Sequence, residues 1–243
     1  MTLLREIELR LEATTVPAVL AVPDGAGPHP ALLVLSEVWG LTGDLRAIAA
    51  RLGGEGYVAL APELYGPGRR LACVSRAIRD LARAGSELGL ERTGQAFRAL
   101  RARPEVDPER VGAIGFCMGG GFALLLGAHE PTAAVSVNYG RVPERLEELE
   151  GICPVVGSYG GRDRQLVPQA ERLERFLADR GVPHDVKVYP QAGHSFLNRS
   201  VPVTLQRALR PVVVVGYDAG AAEDAWRRIL AFFRTHLDAP ARS

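Results

Sequence analysis

The sequence predicts an α/β fold: a mostly parallel central sheet, helices on both faces and an antiparallel hairpin at the N-terminus. Three observations carry that prediction. Short, continuous apolar runs recur along the chain, and such runs mark strands covered on both faces, as parallel strands are. Segments of helical period separate them. The first segment alternates apolar and polar instead, as a half-buried strand does, and a second follows it after a short break.

Each element follows in order. Residues 4–12 alternate, and VPAVLAV at 16–22 follows after a short break, so the pair forms the opening hairpin. The segment PDGAGPHP is dense in turn residues. The continuous strands are ALLVLS at 31–36, YVALAP at 57–62, RVGAIGF at 110–116, AAVSVN at 133–138 and CPVVGSYG at 153–160. Leu45 to Leu52 has helical period, and Leu71 to Arg103 reads as two helices interrupted by Gly85, Gly89 and Gly94. A helix from Phe122 to Ala128 continues directly from a strand. Gln169 to Asp179 is an amphipathic helix stopped by Gly181 and Pro183. His184 to Tyr189 is the last strand, and Ala221 to Leu237 the closing helix. With no repeat and no Pro/Gly/Ser linker, residues 1–243 are expected to form one domain.

Composition narrows the function classes. At 47% hydrophobic and 23% charged residues, the chain has the make-up of a globular protein, not of a disordered or repetitive one. Lys and Arg number 29 against 28 Asp and Glu, a net charge of +1. Binding through nucleic-acid phosphates normally goes with a basic excess, so it is disfavoured as the main activity. No apolar run approaches the roughly 20 residues of a membrane-spanning helix. The start MTLLREIELRLE reads as a strand and not as a signal peptide. Three cysteines do not make a disulfide framework, although a Cys73–Cys153 bond stays open. The expected location is cytoplasmic.

In open parallel sheets, function gathers at the carboxyl ends of the strands. IGFCMGGG at 114–121 sits at such an end. Gly115, Cys117 and Gly119 form G-x-C-x-G, the cysteine form of a nucleophile elbow. The chain must reverse from strand to helix within almost no residues, so the flanking positions must be small. The central side chain is then held at a helix N-terminus, where free N–H groups and the dipole favour a thiolate. A glycine-rich turn around a structural cysteine is the alternative. Neither G-x-G-x-x-G nor G-x-x-x-x-G-K-[ST] occurs, which weakens a nucleotide-binding reading.

In such folds the chain order is nucleophile, acid, histidine. Asp163 lies in the Gly-rich loop SYGGRDRQLVP at 158–168, although it also suits a turn or helix cap. Of the histidines, only His194, in VYPQAGHSFLN at 188–198, follows both residues and leaves the end of a strand. The oxyanion hole is expected from the backbone N–H of Met118 and one from SEVWGLTGD at 36–44, with Val38 the donor. The same loop places Glu37 at a strand end, either turned to solvent or aimed at the thiol.

With these residues assembled, the chain resembles the dienelactone hydrolase (carboxymethylenebutenolidase) family of the α/β-hydrolase fold. LSEVWGL at 35–41, APELYG at 61–66, GFCMGG at 115–120, GGRDRQLVP at 160–168 and YPQAGHSF at 189–196 lie in the family's order. The resemblance implies a Cys117–His194–Asp163 triad acting on a small-molecule ester or lactone, with no metal and no cofactor. It also implies that Glu37 holds the resting thiol and helps to take its proton. One departure stands out. Members that act on dienelactones hold a substrate carboxylate with arginines, one of them four residues after the histidine. Here that position is Asn198, with Arg199 one residue late. The second arginine would be Arg76, or Arg79 or Arg83, each of which equally suits a solvated basic helix face. The stretch LQRALRPVVVVGYD at 205–218 is expected to reshape the pocket mouth. Two other classes share the fold: a non-catalytic binding or sensing scaffold, and a thiol acyltransferase or peptidase.

Overall fold

The computed structural model describes residues 3–37, 39–64, 87–199 and 213–238. The strands are β1 (Leu3–Arg10), β2 (Thr15–Val22), β3 (His29–Leu35), β4 (Val58–Pro62), β5 (Val106–Phe116), β6 (Val135–Asn138), β7 (Val155–Gly160) and β8 (His184–Tyr189). The α-helices are α1 (Gly43–Gly54), α2 (Glu87–Arg101), α3 (Met118–His129), α4 (Val167–Asp179) and α5 (Ala219–Leu237). All eight strands join one sheet in the order β1-β2-β4-β3-β5-β6-β7-β8. β1 pairs with β2, and β2 with β4, antiparallel; every other pairing is parallel.

Burial explains the patterning. Every residue of β4, β6 and β7 is buried, whereas β1, on the outer edge, is exposed along most of its length. The apolar faces of the helices complete the core: Leu45, Ile48 and Leu52 from α1, Leu173 and Leu177 from α4, Trp226, Ile229 and Phe233 from α5. Thr42 caps α1 by accepting from the Leu45 N–H, and Asp218 caps α5 by accepting from that of Ala221.

Two details differ from the sequence-based expectation. Gly89 and Gly94 lie inside α2 without breaking it. At Gly94 an added Cβ would lie 2.9 Å from a Glu130 oxygen, so this glycine serves a close approach rather than a break. The helix after β5 begins at Met118, four residues before Phe122, because the turn that starts it is tighter than periodicity reveals.

The sheet order reverses direction at β3. β4 lies to one side of it, and β5 to the other. Ligand crevices of open parallel sheets form at such switch points. The register pairs Leu35 with Gly115, Phe116 with Asn138, Asn138 with Ser158 and Gly160 with Tyr189. The chain segments leaving β3, β5, β6, β7 and β8 therefore emerge at one end of the sheet, side by side.

Candidate active site

Cys117 ends β5 and begins α3 with φ +53° and ψ −114°, a conformation that L-residues seldom adopt. Sterics force this turn. A Cβ on Gly115 would lie 2.0 Å from the Gly119 carbonyl oxygen, and one on Gly119 would lie 2.4 Å from that of Leu35. Helix and strand can approach that closely only without side chains at both positions. The Cys117 backbone N–H donates to the Asn138 carbonyl at 3.0 Å, which fixes the elbow to β6. Its side chain makes no capping hydrogen bond, so the first-turn N–H groups of α3, Met118 among them, are not spent on it.

Asp163 follows β7 in a tight turn and is 4% exposed. His194 follows β8 and donates from Nδ1 to Asp163 Oδ2 at 2.7 Å. The loop that carries His194 is held from a direction the sequence did not reveal. The His194 N–H donates to the Val214 carbonyl at 2.6 Å, and the Gly216 N–H donates to the His194 carbonyl. Gly193 makes that approach possible, since a Cβ there would lie 2.1 Å from the Val214 oxygen. Residues 213–218 thus brace the histidine loop, and 205–212 lie outside the described residues.

Burial opposes charge on His194. The adjoining Cys117 sulfur, its hydrogen bond to the imidazole and the Asp163 carboxylate outweigh that penalty and hold the ring well above its ordinary pKa. Cys117, His194 and Asp163 therefore adjoin one another in that order. By contrast, burial pushes the Cys153 thiol up to about 12. Cys153 is a free cysteine, and Cys73 lies outside the described residues.

Glu37 is buried at the end of β3, 7% exposed. Its Oε1 accepts from Ser195 Oγ at 2.8 Å; no hydrogen bond to Cys117 is among its described contacts. Burial raises its pKa, against the opposing pull of His194 and of the Ser195 and Tyr139 hydroxyls. The Tyr139 ring lies 5.1 Å from that of His194, centre to centre. The Tyr139 hydroxyl, buried beside Glu37 and Cys117, has no well-aligned hydrogen bond among the described residues. Tyr139 and Ser195 have φ of +42° and +57°. With Cys117 they are the non-glycine residues of positive φ among those described; Cys117 and Tyr139 directly follow strands, and Ser195 lies in the loop after β8. Strained backbone of that kind clusters at functional sites.

Ser195 and Tyr139 were missed from sequence. The available signals were slight: a hydroxyl directly after His194, and an aromatic residue directly after a buried strand. Of the remaining expected residues, Val38 and Arg76 lie outside the described residues, as do Arg79 and Arg83. Asn198 is buried and faces a cavity beside Glu37. Arg199 instead donates to the hydroxyl of the exposed Tyr217 at 2.9 Å, with its guanidinium 4.7 Å from that ring. Among the described residues, no group of three or more His, Cys, Asp or Glu side chains is placed to hold a metal ion, and no helix is long and apolar enough to cross a membrane.

A sheet of this order with a strained elbow at its switch point defines an α/β hydrolase. Comparison with known proteins narrows the class: residues 16–237 match the model of the dienelactone hydrolase family, and the chain belongs to that family. A protein of Methylorubrum extorquens, provisionally named carboxymethylenebutenolidase, is 29% identical over 247 residues, covering 95% of this chain and 80% of its own. The crystal structure of a dienelactone hydrolase-like promiscuous phosphotriesterase from metagenomic libraries superposes with a TM-score of 0.82 at 26% identity, over 97% of this chain and 98% of that one. A provisionally assigned dienelactone hydrolase of Klebsiella pneumoniae gives 0.75 at 26% identity, over 96% and 98%. The protein is accordingly a hydrolase of the ester- and lactone-cleaving class.

Proposed function

We propose that the protein hydrolyses carboxylic esters or lactones through a Cys117–His194–Asp163 triad and a thioester acyl-enzyme. The observation that carries this reading is the line from the strained elbow to a buried carboxylate, with the Cys117 sulfur adjoining His194 and His194 Nδ1 held 2.7 Å from Asp163.

Each residue has a role in the sequence of steps. The Cys117 proton passes to His194 Nε2, and the thiolate attacks the substrate carbonyl carbon. A C–S bond forms, and the carbonyl oxygen becomes an oxyanion, met by the Met118 and Val38 N–H groups. Collapse breaks the C–O bond, and the His194 proton goes to the departing alcohol oxygen; in a lactone that oxygen stays attached as the ring opens. Water then gives a proton to His194 and its hydroxide attacks the thioester. The C–S bond breaks, the acid is released and Cys117 regains its proton. Asp163 keeps the imidazole in the right tautomer and orientation. Glu37 is a second proton acceptor for the thiol. Its raised pKa makes it a stronger base than an exposed carboxylate, and its approach to Sγ exchanges the Ser195 bond for one to sulfur.

Two labelling experiments test the reading. Acid-quenched turnover of p-nitrophenyl acetate should leave one acetyl group on the peptide holding Cys117. Sub-stoichiometric iodoacetamide should label Cys117 ahead of Cys153, whose thiol burial keeps protonated at neutral pH. Loss of activity with label on Cys73 or Cys153, or turnover surviving in Cys117→Ala, rejects it.

A further inference from the structure

His194 lies beyond the end of β8, so the β7–β8 ladder, whose last pair is Gly160 with Tyr189, does not reach it. Its backbone is held from the other side. The His194 N–H donates to the Val214 carbonyl at 2.6 Å, and the His194 carbonyl accepts from the Gly216 N–H at 3.1 Å. Further on, the Phe196 carbonyl accepts from the Asp218 N–H, also at 3.1 Å. His194 and Val215 form a parallel bridge, so 214–218 is a short strap laid alongside 194–196. The two segments lie so close that a Cβ on Gly193 would come within 2.1 Å of the Val214 oxygen.

A few backbone bonds between two short segments do not hold themselves together, because a lone pair of strands is marginally stable in water. The strap needs an anchor, and Asp218 supplies it. Its N–H closes the ladder at Phe196, its carbonyl accepts from the Ala222 N–H at 2.9 Å, and its Oδ1 accepts from the Ala221 N–H at 3.0 Å. The first bond belongs to the strap and the other two to the first turn of α5. That helix is fixed in turn by Ala222, Ala225, Trp226 and Ile229 in the core. A continuous path therefore runs from the core through α5 and Asp218 to the backbone of His194. The side chain is held separately, by the hydrogen bond from Nδ1 to Asp163 on the loop after β7. The imidazole meets that carboxylate only while its own backbone stays in place, and a misplacement of about 1 Å costs about 100-fold in rate.

We propose that Asp218 is a positioning residue for His194: by capping α5 and closing the ladder at Phe196, it fixes the strap that holds the histidine backbone in line with Asp163. The proposal rests on the triad reading above and adds to it a residue that touches neither the substrate nor the reacting atoms.

The test compares Asp218→Ala with Asp218→Asn. Asparagine caps a helix as well as aspartate does, and alanine does not. Asp218→Ala should lower kcat for p-nitrophenyl acetate by about tenfold with KM little changed, and Asp218→Asn should restore kcat to within about twofold of wild type. The distinguishing readout is the Nδ1 proton of His194, followed by NMR and assigned by its loss in His194→Gln. Its downfield resonance should be sharp in wild type and in Asp218→Asn, and broadened or absent in Asp218→Ala. Arg228→Met, which weakens the packing under the same helix, should keep it. Gly193→Ala, which drives a Cβ into the Val214 carbonyl, displaces the strap at its other end. It should lose both the resonance and kcat, and it serves if Asp218→Ala does not fold. A wild-type resonance and kcat in folded Asp218→Ala or Gly193→Ala overturns the proposal, as does a failure of Asp218→Asn to restore them. The resonance is read without substrate, so a result that sinks this inference is distinct from acetate turnover surviving Cys117→Ala, which sinks the reading beneath it.

Discussion

Two polar clusters share the carboxyl half of the sheet and treat charge in opposite ways. Under α5, Arg228 lies against β7 and β8. It donates to both Asp185 carboxylate oxygens at 2.6 and 2.8 Å, to the backbone carbonyls of Gly157 and Asp185, and to the Tyr189 hydroxyl. Tyr189 in turn donates to Asp224, which also accepts from Lys187. Burial works against the Arg228 charge, but Asp185 and Tyr189 more than restore it. At the candidate active site, Glu37 is buried with hydroxyls and without an arginine or lysine among its described partners, and burial raises its pKa. The Tyr139 hydroxyl has no well-aligned partner among the described residues, and three non-glycine residues there carry positive φ. Stacked rings join the two regions: Tyr189 to Phe196 at 5.2 Å, Phe196 to Tyr139 at 5.6 Å and Tyr139 to His194 at 5.1 Å. The contrast teaches where function lies. A polar cluster that holds elements together is satisfied; one that must move a proton leaves part of its bonding capacity unused.

The largest effect that would sharpen this contrast comes from Cys117→Ala. Turnover of an activated ester should fall by at least about 10³-fold if Cys117 is the nucleophile, as loss of a nucleophile does in triad hydrolases. The melting temperature should barely move, because Cys117 is only partly buried.

Glu37→Gln should lower the acylation rate by about a hundredfold, within the range of general-base catalysis, and leave KM little changed. Stopped-flow acylation and melting temperature, measured together, decide this. The pH dependence carries a definite sign. The native pKa of Glu37 lies above its ordinary value of 4.5, so the native state binds that proton more tightly. Its contribution to stability is complete below pH 4.5 and is lost as pH rises through the raised native pKa. Glutamine never ionises. The melting temperature of Glu37→Gln relative to wild type should therefore climb as pH rises. A flat difference from pH 4 to 9 would mean that Glu37 is solvated. Wild-type acylation in this variant would leave activation to His194 alone.

Arg228→Met tests the other cluster. Breaking a fully buried pair costs about 3–5 kcal/mol, but Asp185 is half exposed and regains water, so about 1–3 kcal/mol is expected. Chemical denaturation should show that loss, while kcat changes by less than about threefold. A crippled kcat at unchanged stability would erase the distinction between the clusters.

Tyr139→Phe should have the smallest effect on stability, since it deletes a buried hydroxyl that has no well-aligned partner. Its signature is in the pH–rate profile. Tyr139 helps to hold down the pKa of Glu37, so its loss should move the acidic limb to higher pH. An unshifted limb would separate Tyr139 from the proton-moving group.

Much of this protein was legible before any coordinates. The continuous apolar runs predicted the parallel strands because burial on both faces leaves no room for alternation. The alternation of the first segment predicted a half-exposed strand, and the short break after it predicted the hairpin. The elbow was legible because the steric requirement at Gly115 and Gly119 is local and admits few residues. The placing of Asp163 and His194 past strand ends followed from chain order. What tertiary structure alone decided are pairings between segments far apart. Ser195 meets Glu37 across 158 positions. Val214 braces His194 from a stretch that the sequence assigned only to the pocket mouth. Arg199 turns to Tyr217, while Asn198 faces the cavity. Periodicity reports which face of an element is covered, because that depends on neighbours three or four residues away in a helix and two in a strand. It cannot report which distant side chain covers that face. That choice depends on the packing of the whole sheet and its loops, and it decided where the buried carboxyl of Glu37 and the amide of Asn198 came to lie.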